Sequence, residues 1–250
     1  MGLYNDVVMP RLVGRVCGHR FFDPWRQRVC EGLGGEIVEV GFGTGTNLEF
    51  LPPAVRRVYA VEPSLVARAA ARAAVERTSI DVEFIELGTT AVARGSLDAA
   101  LSAFTLCSVD DPRRVLGQIA AVVKPGAPLH FLEHGLAPDA ATARWQHRLN
   151  GLEQRLAGGC HLTRDPLRLL VESGFEVDTY VQEYARGPRP WSYFTLGVAR
   201  AAAVGKIRRA SVRSHRGARG ATARGVRAFT SRTVRGVNEG VTPASPGWTS

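Results

Sequence analysis

Three glycines spaced two residues apart, Gly41, Gly43 and Gly45, lie between a β-branched segment and a segment with helical spacing. Glycine allows a tight turn and lets backbone N–H groups approach a ligand closely. Glu62 follows Gly41 by 21 residues, at the end of the next β-branched segment. A carboxylate about 20 residues after such a loop accepts hydrogen bonds from both ribose hydroxyls of a nucleotide. The combination predicts a nucleoside-containing ligand rather than a simple connecting turn.

The spacing of the glycines distinguishes between nucleoside ligands. A dinucleotide-binding loop has the pattern G-x-G-x-x-G or G-x-G-x-x-A, in which the last small residue allows close helix packing. Here Thr46 occupies that sixth position, and the third glycine comes one residue early, as Gly45. The pattern therefore argues against a nicotinamide-dependent reductase, which is one of the alternatives for this chain.

The elements around the loop are predicted from hydrophobic periodicity. Segments that are short and β-branched predict strands, and segments rich in Ala, Arg and Leu predict helices. Strands are expected at residues 36–40, 57–61, 82–85, 97–103 and 129–133, with a helical turn at 47–51 and helices at 64–77 and 112–123. This alternation predicts a parallel sheet covered on both faces, with ligands at the carboxyl ends of its strands.

The remainder of the chain predicts three further features. Residues 5–33 are expected to form one or two short helices with a break around residues 18–24. Helices are expected at 141–157 and 166–173, the latter capped by Thr163 or Asp165 with Pro166 in its first turn. Strands at 175–183 and 193–199 are separated by a loop with glycine and prolines, which indicates an antiparallel hairpin.

Charge is distributed unevenly along the chain. The net charge of the 250 residues is +9, yet residues 200–250 hold eleven Lys or Arg and one acid. Residues 1–199 therefore hold 21 basic and 22 acidic side chains and are nearly neutral. We predict that residues 205–250 are mostly disordered. Because this segment has few aromatic residues, we expect a solvated extension rather than a specific nucleic-acid partner.

The four cysteines, Cys17, Cys30, Cys107 and Cys160, form no CxxC pair. We therefore expect neither a metal site nor a disulfide framework, and we interpret Cys107 and Cys160 as small buried residues. The sequence has no signal-peptide pattern and no transmembrane stretch of about 20 apolar residues. A cytoplasmic protein is the expectation.

The chain resembles the UbiE-like class I methyltransferases (methyltransferase type 11), which use S-adenosylmethionine (SAM), and within them the thiol S-methyltransferases. The resemblance covers residues 4–199. It rests on the glycine loop and on the stretches at residues 105–109, 123–126, 132–134 and 159–164, of which the Glu133–His134 pair and residues 159–164 are the most specific. It implies a Rossmann-like, doubly wound α/β fold with a seven-stranded sheet whose last strand is antiparallel.

The resemblance also implies site residues. Those expected to bind SAM are Glu39, Gly41, Gly43, Gly45, Asn47, Glu62, Pro63, Ser102, Phe104 and Thr105. The three glycines would pass under the methionine part, Glu62 would hold the ribose, and Phe104 would lie near the sulfonium. The family's acid or amide for the adenine amine is missing from the run Leu87–Ala91, where Glu86 or Thr89 would have to substitute.

Histidine suits a general base near neutral pH, because an acceptor such as a thiol must lose a proton. His134 follows the fifth strand and His161 lies in the specific stretch, so both are candidates, although a structural role is open for each. His130 is expected to be structural. Residues that could wall the acceptor pocket or simply pack are Trp145, His147 and Trp191, and Tyr4 falls where related enzymes fold a lid over the cofactor.

The prediction is a SAM-dependent methyltransferase acting on a small thiol, phenol or quinone-type molecule. Carbon methylation of a quinone precursor is the alternative within the class. A catalytically silent module that binds nucleic acid or a partner through its basic tail is the alternative outside it. The expected organisation is a helical lid at 1–35, a SAM-binding domain at 36–199 and a basic tail at 200–250.

Overall fold

A computed structural model of the chain describes residues 19–201. Its centre is a seven-stranded sheet with the order β3-β2-β1-β4-β5-β7-β6. The strands are β1 (Gly35–Val40), β2 (Val55–Val61), β3 (Asp81–Ile85), β4 (Ala99–Ala103), β5 (Pro128–His134), β6 (Phe175–Tyr184) and β7 (Tyr193–Ala201). Strand β7 runs antiparallel to both of its neighbours, β5 and β6. The predicted fold class and the predicted C-terminal hairpin are confirmed.

Five α-helices connect and cover the sheet within residues 19–201. They are α1 (Asp23–Cys30), α2 (Leu65–Arg77), α3 (Pro112–Val122), α4 (Ala140–Leu156) and α5 (Pro166–Glu172). Short 3-10 helices lie at Arg20–Phe22, Thr46–Phe50 and Arg189–Trp191. No helix in this part of the chain is long and apolar enough to cross a membrane.

Helix starts follow from local side-chain chemistry. Ser64, Asp111, Asp139 and Asp165 each accept a hydrogen bond from the backbone N–H three residues on, and thereby cap α2 to α5. Of the two caps considered for α5, the structure uses Asp165. The predicted break around residues 18–24 is wrong at its C-terminal end, because Pro24 lies inside the first turn of α1. Proline is tolerated there, since its missing N–H would have no helical partner.

The core forms on both faces of the sheet, as strands buried on both sides require. Strand β4 is buried along its whole length, and β1 is buried from Ile37 onward. Helix α1 belongs to this core: Trp25, Val29 and Cys30 pack in one cluster with Leu132 and Phe194. His130 reinforces the contact, since its Nδ1 donates a 2.8 Å hydrogen bond to the Val29 carbonyl.

The division into lid, domain and tail stays a prediction. Tyr4, Cys17 and the basic segment 205–250 lie outside the described residues.

Candidate active site

A cleft opens at the carboxyl ends of β1, β2 and β4 and has a volume of about 980 Å³. That is the size of a small-molecule site. Seven of the ten predicted cofactor residues line it, namely Gly41, Gly43, Asn47, Glu62, Pro63, Phe104 and Thr105. Glu39, Gly45 and Ser102 are not on its surface.

The glycine loop approaches the neighbouring strand end closely. Gly41 has φ +72°, and a Cβ at this position would lie 1.9 Å from the Thr105 hydroxyl oxygen. Gly43 has φ +58°, but a Cβ there would meet nothing nearer than a backbone oxygen at 3.8 Å. Gly41 is therefore required by the protein's own packing, whereas the space beside Gly43 is free for a ligand.

Glu62 presents its carboxylate at the rim of the loop. The backbone N–H of Gly43 donates to one oxygen at 2.9 Å, and the N–H of Ser64 donates to the other at 2.8 Å. These bonds orient the carboxylate and leave each oxygen with a further lone pair. Glu62 thus offers two fixed acceptors, as a vicinal diol requires.

Below the loop, Glu39 is buried and belongs to a polar chain. Asn47 donates to one oxygen of Glu39 at 2.7 Å and accepts a hydrogen bond from Arg26. The other oxygen, Oε2, is buried and has no partner among the described residues. Burial raises the pKa of Glu39 to about 7, although the bond from Asn47 and the charge of Arg26 lower it. An orphaned carboxylate oxygen beneath a ligand cleft fits a cationic group such as an ammonium.

Arg26 is a site residue that the sequence analysis missed. It lies on α1, is 4% exposed and lines the cleft, with its guanidinium 5.9 Å from the centroid of the Phe104 ring. The alternation of apolar and basic residues in α1 identified a helix but did not show which arginine faces inward.

Phe104 is the only non-glycine residue in residues 19–201 with a positive φ, at 55°. Such a conformation costs about 1–3 kcal/mol and persists where the surroundings impose it. Its ring packs between Phe22, Phe194 and His134. Strain of this kind at the end of a buried strand, facing a cleft, is typical of a functional site.

Glu133 holds the loop after Phe104 in place. This fully buried carboxylate accepts hydrogen bonds from the Ser102 hydroxyl at 2.8 Å and from the backbone N–H groups of Thr105, Leu106 and Cys107 at 3.0–3.2 Å. Glu133 therefore explains why Ser102 faces the protein interior rather than the cleft.

The two candidate bases lie behind the cleft rather than on its surface. His134 contacts the sulfurs of Cys107 and Cys160 through its Nδ1. His161 Nδ1 lies 3.0 Å from the Gln154 side-chain nitrogen, and burial and the charge of Arg164 lower the pKa of His161. Their catalytic roles stay predictions.

The other candidates for the acceptor wall are placed at the surface. Trp145 is 53% exposed and Trp191 36% exposed, and neither these residues nor His147 lines the cleft. Trp191 donates a hydrogen bond to Glu153.

At the far end of the cleft, Phe84, Ile85, Glu86, Leu87 and Gln118 form the wall. The Gln118 amide donates to the Leu87 carbonyl at 3.2 Å. Of the two substitutes considered for the missing acid, Glu86 lines the cleft and Thr89 does not.

Comparison with known proteins identifies the fold and a matching domain family. A family model described as a methyltransferase domain matches residues 38–131, which contain the glycine loop, Glu62 and Phe104. Residues 38–131 therefore resemble the domain found in SAM-dependent methyltransferases. The cofactor of this family is SAM.

Individual relatives agree with this assignment. The thiol S-methyltransferase TMT1B of Rattus norvegicus is 31% identical over 168 residues, which are 64% of this chain and 66% of that protein. The chain thus spans slightly less than two thirds of that relative. A demethylmenaquinone methyltransferase of Renibacterium salmoninarum is 32% identical over 115 residues, 44% of this chain and 47% of that protein.

Among solved structures, a SAM-dependent methyltransferase from Thermotoga maritima covers 80% of this chain and 98% of its own, with a TM-score of 0.57 and 18% identity. At that identity the likeness concerns the fold alone.

Proposed function

We propose that this protein transfers the methyl group of SAM to the sulfur of a small-molecule thiol. The observation that carries the proposal is the Glu62 carboxylate, held by two backbone N–H groups beside the glycine loop so that both oxygens can accept from a ribose diol. The relatives named thiol S-methyltransferases support the choice of acceptor.

The methionine part of SAM would lie along the glycine loop. Its ammonium group is the natural partner for the negative charge of Glu39, whose buried Oε2 lacks a hydrogen bond within the described chain. Asn47, on the cleft surface, connects this charge to the ligand side. Gly43 leaves room for the ligand backbone, and Phe104 lies at the sulfonium end.

The adenine ring would lie against the wall formed by Phe84, Leu87 and Gln118. The aromatic and aliphatic side chains supply apolar contact to its faces. Gln118 can accept from the adenine amine through its amide oxygen while its amide nitrogen donates to the Leu87 carbonyl. We propose that Gln118, together with Glu86, takes the place of the missing acid.

In the reaction a lone pair of the acceptor sulfur forms a bond to the methyl carbon. The bond from that carbon to the sulfonium breaks, and its electron pair neutralises the sulfur of the product S-adenosylhomocysteine. The thiol proton must leave before or during this step. The protein has to align donor and acceptor, which contributes about 7–11 kcal/mol of barrier reduction in well-oriented reactions.

Proton removal is the step in which the histidines would act. His134 lies directly behind Phe104, with the two ring centroids 5.2 Å apart. His161 is bonded through its backbone N–H to the Cys107 carbonyl at 2.8 Å. We propose His134 as the nearer of the two to the transfer site. Comparing His134→Gln and His161→Gln for methyl-transfer rate against pH tests this assignment.

Carbon methylation of a quinone-type ring is the second candidate, because the Renibacterium relative is a demethylmenaquinone methyltransferase. The third is a silent module that acts through its basic segment.

The experiment begins with calorimetric titration of SAM into the wild type and a Gly43→Arg variant, with NAD as the control ligand. SAM binding that is lost in the variant supports the cofactor assignment. Radiolabelled SAM is then offered with alkyl and aryl thiols, phenols and a menaquinol precursor. Transfer to thiols alone supports the proposal, and transfer to quinol carbon replaces it with the second candidate. If the folded protein binds no SAM, the methyltransferase proposal fails and the third candidate, a catalytically inactive module, remains.

A further inference from the structure

Behind the wall of the cleft, three side chains that ligate metals meet. Cys107 follows β4, His134 ends β5, and Cys160 lies in the loop after α4. The two sulfurs are 3.8 Å apart, and the His134 Nδ1 lies 3.7 Å from the Cys107 sulfur and 3.6 Å from the Cys160 sulfur. Within residues 19–201 this is the one group of three such donors. Sequence spacing predicted no metal site, because 53 residues separate the two cysteines.

The triangle has the dimensions of one face of a tetrahedral zinc site. Bonds of about 2.3 Å from zinc to sulfur and about 2.05 Å to nitrogen, at tetrahedral angles, separate two sulfurs by about 3.8 Å and a sulfur from a nitrogen by about 3.6 Å. All three distances here agree with those values to about 0.1 Å. The three donor atoms converge on one point, as ligation of a single ion requires.

The donors are held in place without the ion. The backbone N–H of Cys107 donates to Glu133, and its carbonyl accepts from the N–H of His161, which joins the two cysteine-bearing segments. The ring of His134 is fixed between Phe104 and Phe194, with centroids 5.2 and 5.1 Å away. Preorganisation by surrounding groups of this kind sets the affinity of metal sites.

The chemistry of the donors selects the ion. Thiolate and imidazole ligands favour zinc and other soft or borderline cations over magnesium and calcium, which prefer oxygen. Two thiolates and a neutral imidazole balance the charge of Zn²⁺. The guanidinium of Arg164, anchored to the Leu106 carbonyl at 2.6 Å, adds a positive charge beside this cluster.

We propose that Cys107, His134 and Cys160 bind one Zn²⁺ and leave its fourth coordination position open. Three protein ligands with an open position are the arrangement of catalytic rather than structural zinc sites. Ser108 connects the cluster to the cleft, since its hydroxyl lies 3.5 Å from the Cys107 sulfur and the residue lines the cleft.

The open position has a chemical consequence that rests on the proposed function. A thiol acceptor that reached this Zn²⁺ would bind as a thiolate and release its proton to solvent, so the metal would take over the proton-removing role that His134 would have in a metal-free site. The bound thiolate then supplies the lone pair that forms the new bond to the methyl carbon. Binding of Zn²⁺ itself displaces the protons of Cys107 and Cys160.

The test uses the full chain, kept reduced with a phosphine and freed of metal by dialysis against a chelator. Zn²⁺ is titrated in competition with a chromophoric chelator. We expect one Zn²⁺ per chain. Cys107→Ala, Cys160→Ala and His134→Gln should each weaken binding by at least about 100-fold, because loss of a supporting residue alone costs about 10–100-fold. Cys30→Ala is the matched control, since Cys30 is equally buried but packs in the apolar core.

Co²⁺ provides a readout that does not depend on the variants folding. In the wild type it should give a thiolate-to-cobalt charge-transfer band and the strong visible bands of a tetrahedral site. Absence of these bands, no Zn²⁺ uptake, or unchanged affinity in folded Cys107→Ala would each overturn the site. A Cys107–Cys160 disulfide in unreduced protein, with no Zn²⁺ bound after reduction, would replace it with a redox pair.

Calorimetry with SAM on the metal-free wild type separates this proposal from the previous one. SAM binding without Zn²⁺ binding refutes the metal site and leaves the methyltransferase proposal intact. Zn²⁺ binding without SAM binding supports the metal site and refutes the methyltransferase proposal.

Discussion

The change of Glu62 to glutamine probes the proposed ribose contact most directly. In the structure one oxygen of Glu62 accepts from Gly43 and the other from Ser64. Glutamine keeps the size of the side chain, but its amide nitrogen is a donor. One of the two backbone N–H groups would then face another donor, and the amide can accept from at most one ribose hydroxyl.

The magnitude follows from the loss of charge. Hydrogen bonds to charged groups contribute about 1.5–3 kcal/mol each. One such bond is lost, and the other is retained in a weaker neutral form. The expected loss of about 1.5–3 kcal/mol raises the dissociation constant for SAM by roughly 10–150-fold.

The assay is calorimetric titration of SAM and of S-adenosylhomocysteine, which share the ribose. Both ligands should lose affinity by a similar factor, because the change lies away from the methyl group. Glu83→Gln is the matched control, since Glu83 is exposed on β3, outside the cleft, and loses the same charge. A dissociation constant for Glu62→Gln within twofold of that of the wild type would refute the placement of the ribose.

Three further predictions concern the buried carboxylates and the glycine loop. The pKa of Glu39, about 7 when folded, exceeds its ordinary value, so the folded state binds the proton more tightly. The free energy of unfolding should therefore fall by about 3 kcal/mol more between pH 4.5 and pH 7 in the wild type than in Glu39→Gln. Urea titrations at both pH values measure the free energy of unfolding. An equal fall between pH 4.5 and pH 7 in the wild type and in Glu39→Gln would contradict the prediction. Glu133→Gln leaves one buried N–H facing a donor and should lower the free energy of unfolding by about 1–3 kcal/mol, whereas Glu83→Gln should change it by less than about 0.5 kcal/mol. Gly41→Ala should lower the thermal unfolding temperature, because its Cβ would clash with Thr105. Gly43→Ala should retain the fold and lose SAM affinity. A lower unfolding temperature for Gly43→Ala than for Gly41→Ala would show that the loop packs differently.

Local patterns in the sequence predicted most of the fold. The strands from β1 to β5 were identified within a few residues because buried β-branched runs and amphipathic helical runs have different periods. The hairpin of β6 and β7 followed from a loop with glycine and prolines. Pro24 was misjudged because proline breaks a helix interior yet suits a first turn, and only the position of the cap distinguishes the two.

The candidate site was predictable where it is local in sequence. The glycine loop and Glu62 are recognised from their spacing, which is set by one strand-loop-helix-strand unit. Three of the predicted cofactor residues, Glu39, Gly45 and Ser102, do not line the cleft, and the Ser102 hydroxyl points to Glu133 instead.

The sequence by itself thus determined the order of the elements, the glycine loop and the acid that faces it. The tertiary structure alone decided which distant side chains meet. Arg26 reaches Asn47, Glu133 ties down the loop after β4, and Cys107, His134 and Cys160 converge. These contacts depend on β4 and β5 being neighbours and on α1 packing against the sheet. Strand order is a long-range property of the whole sheet, and residue spacing within a single segment carries no information about it.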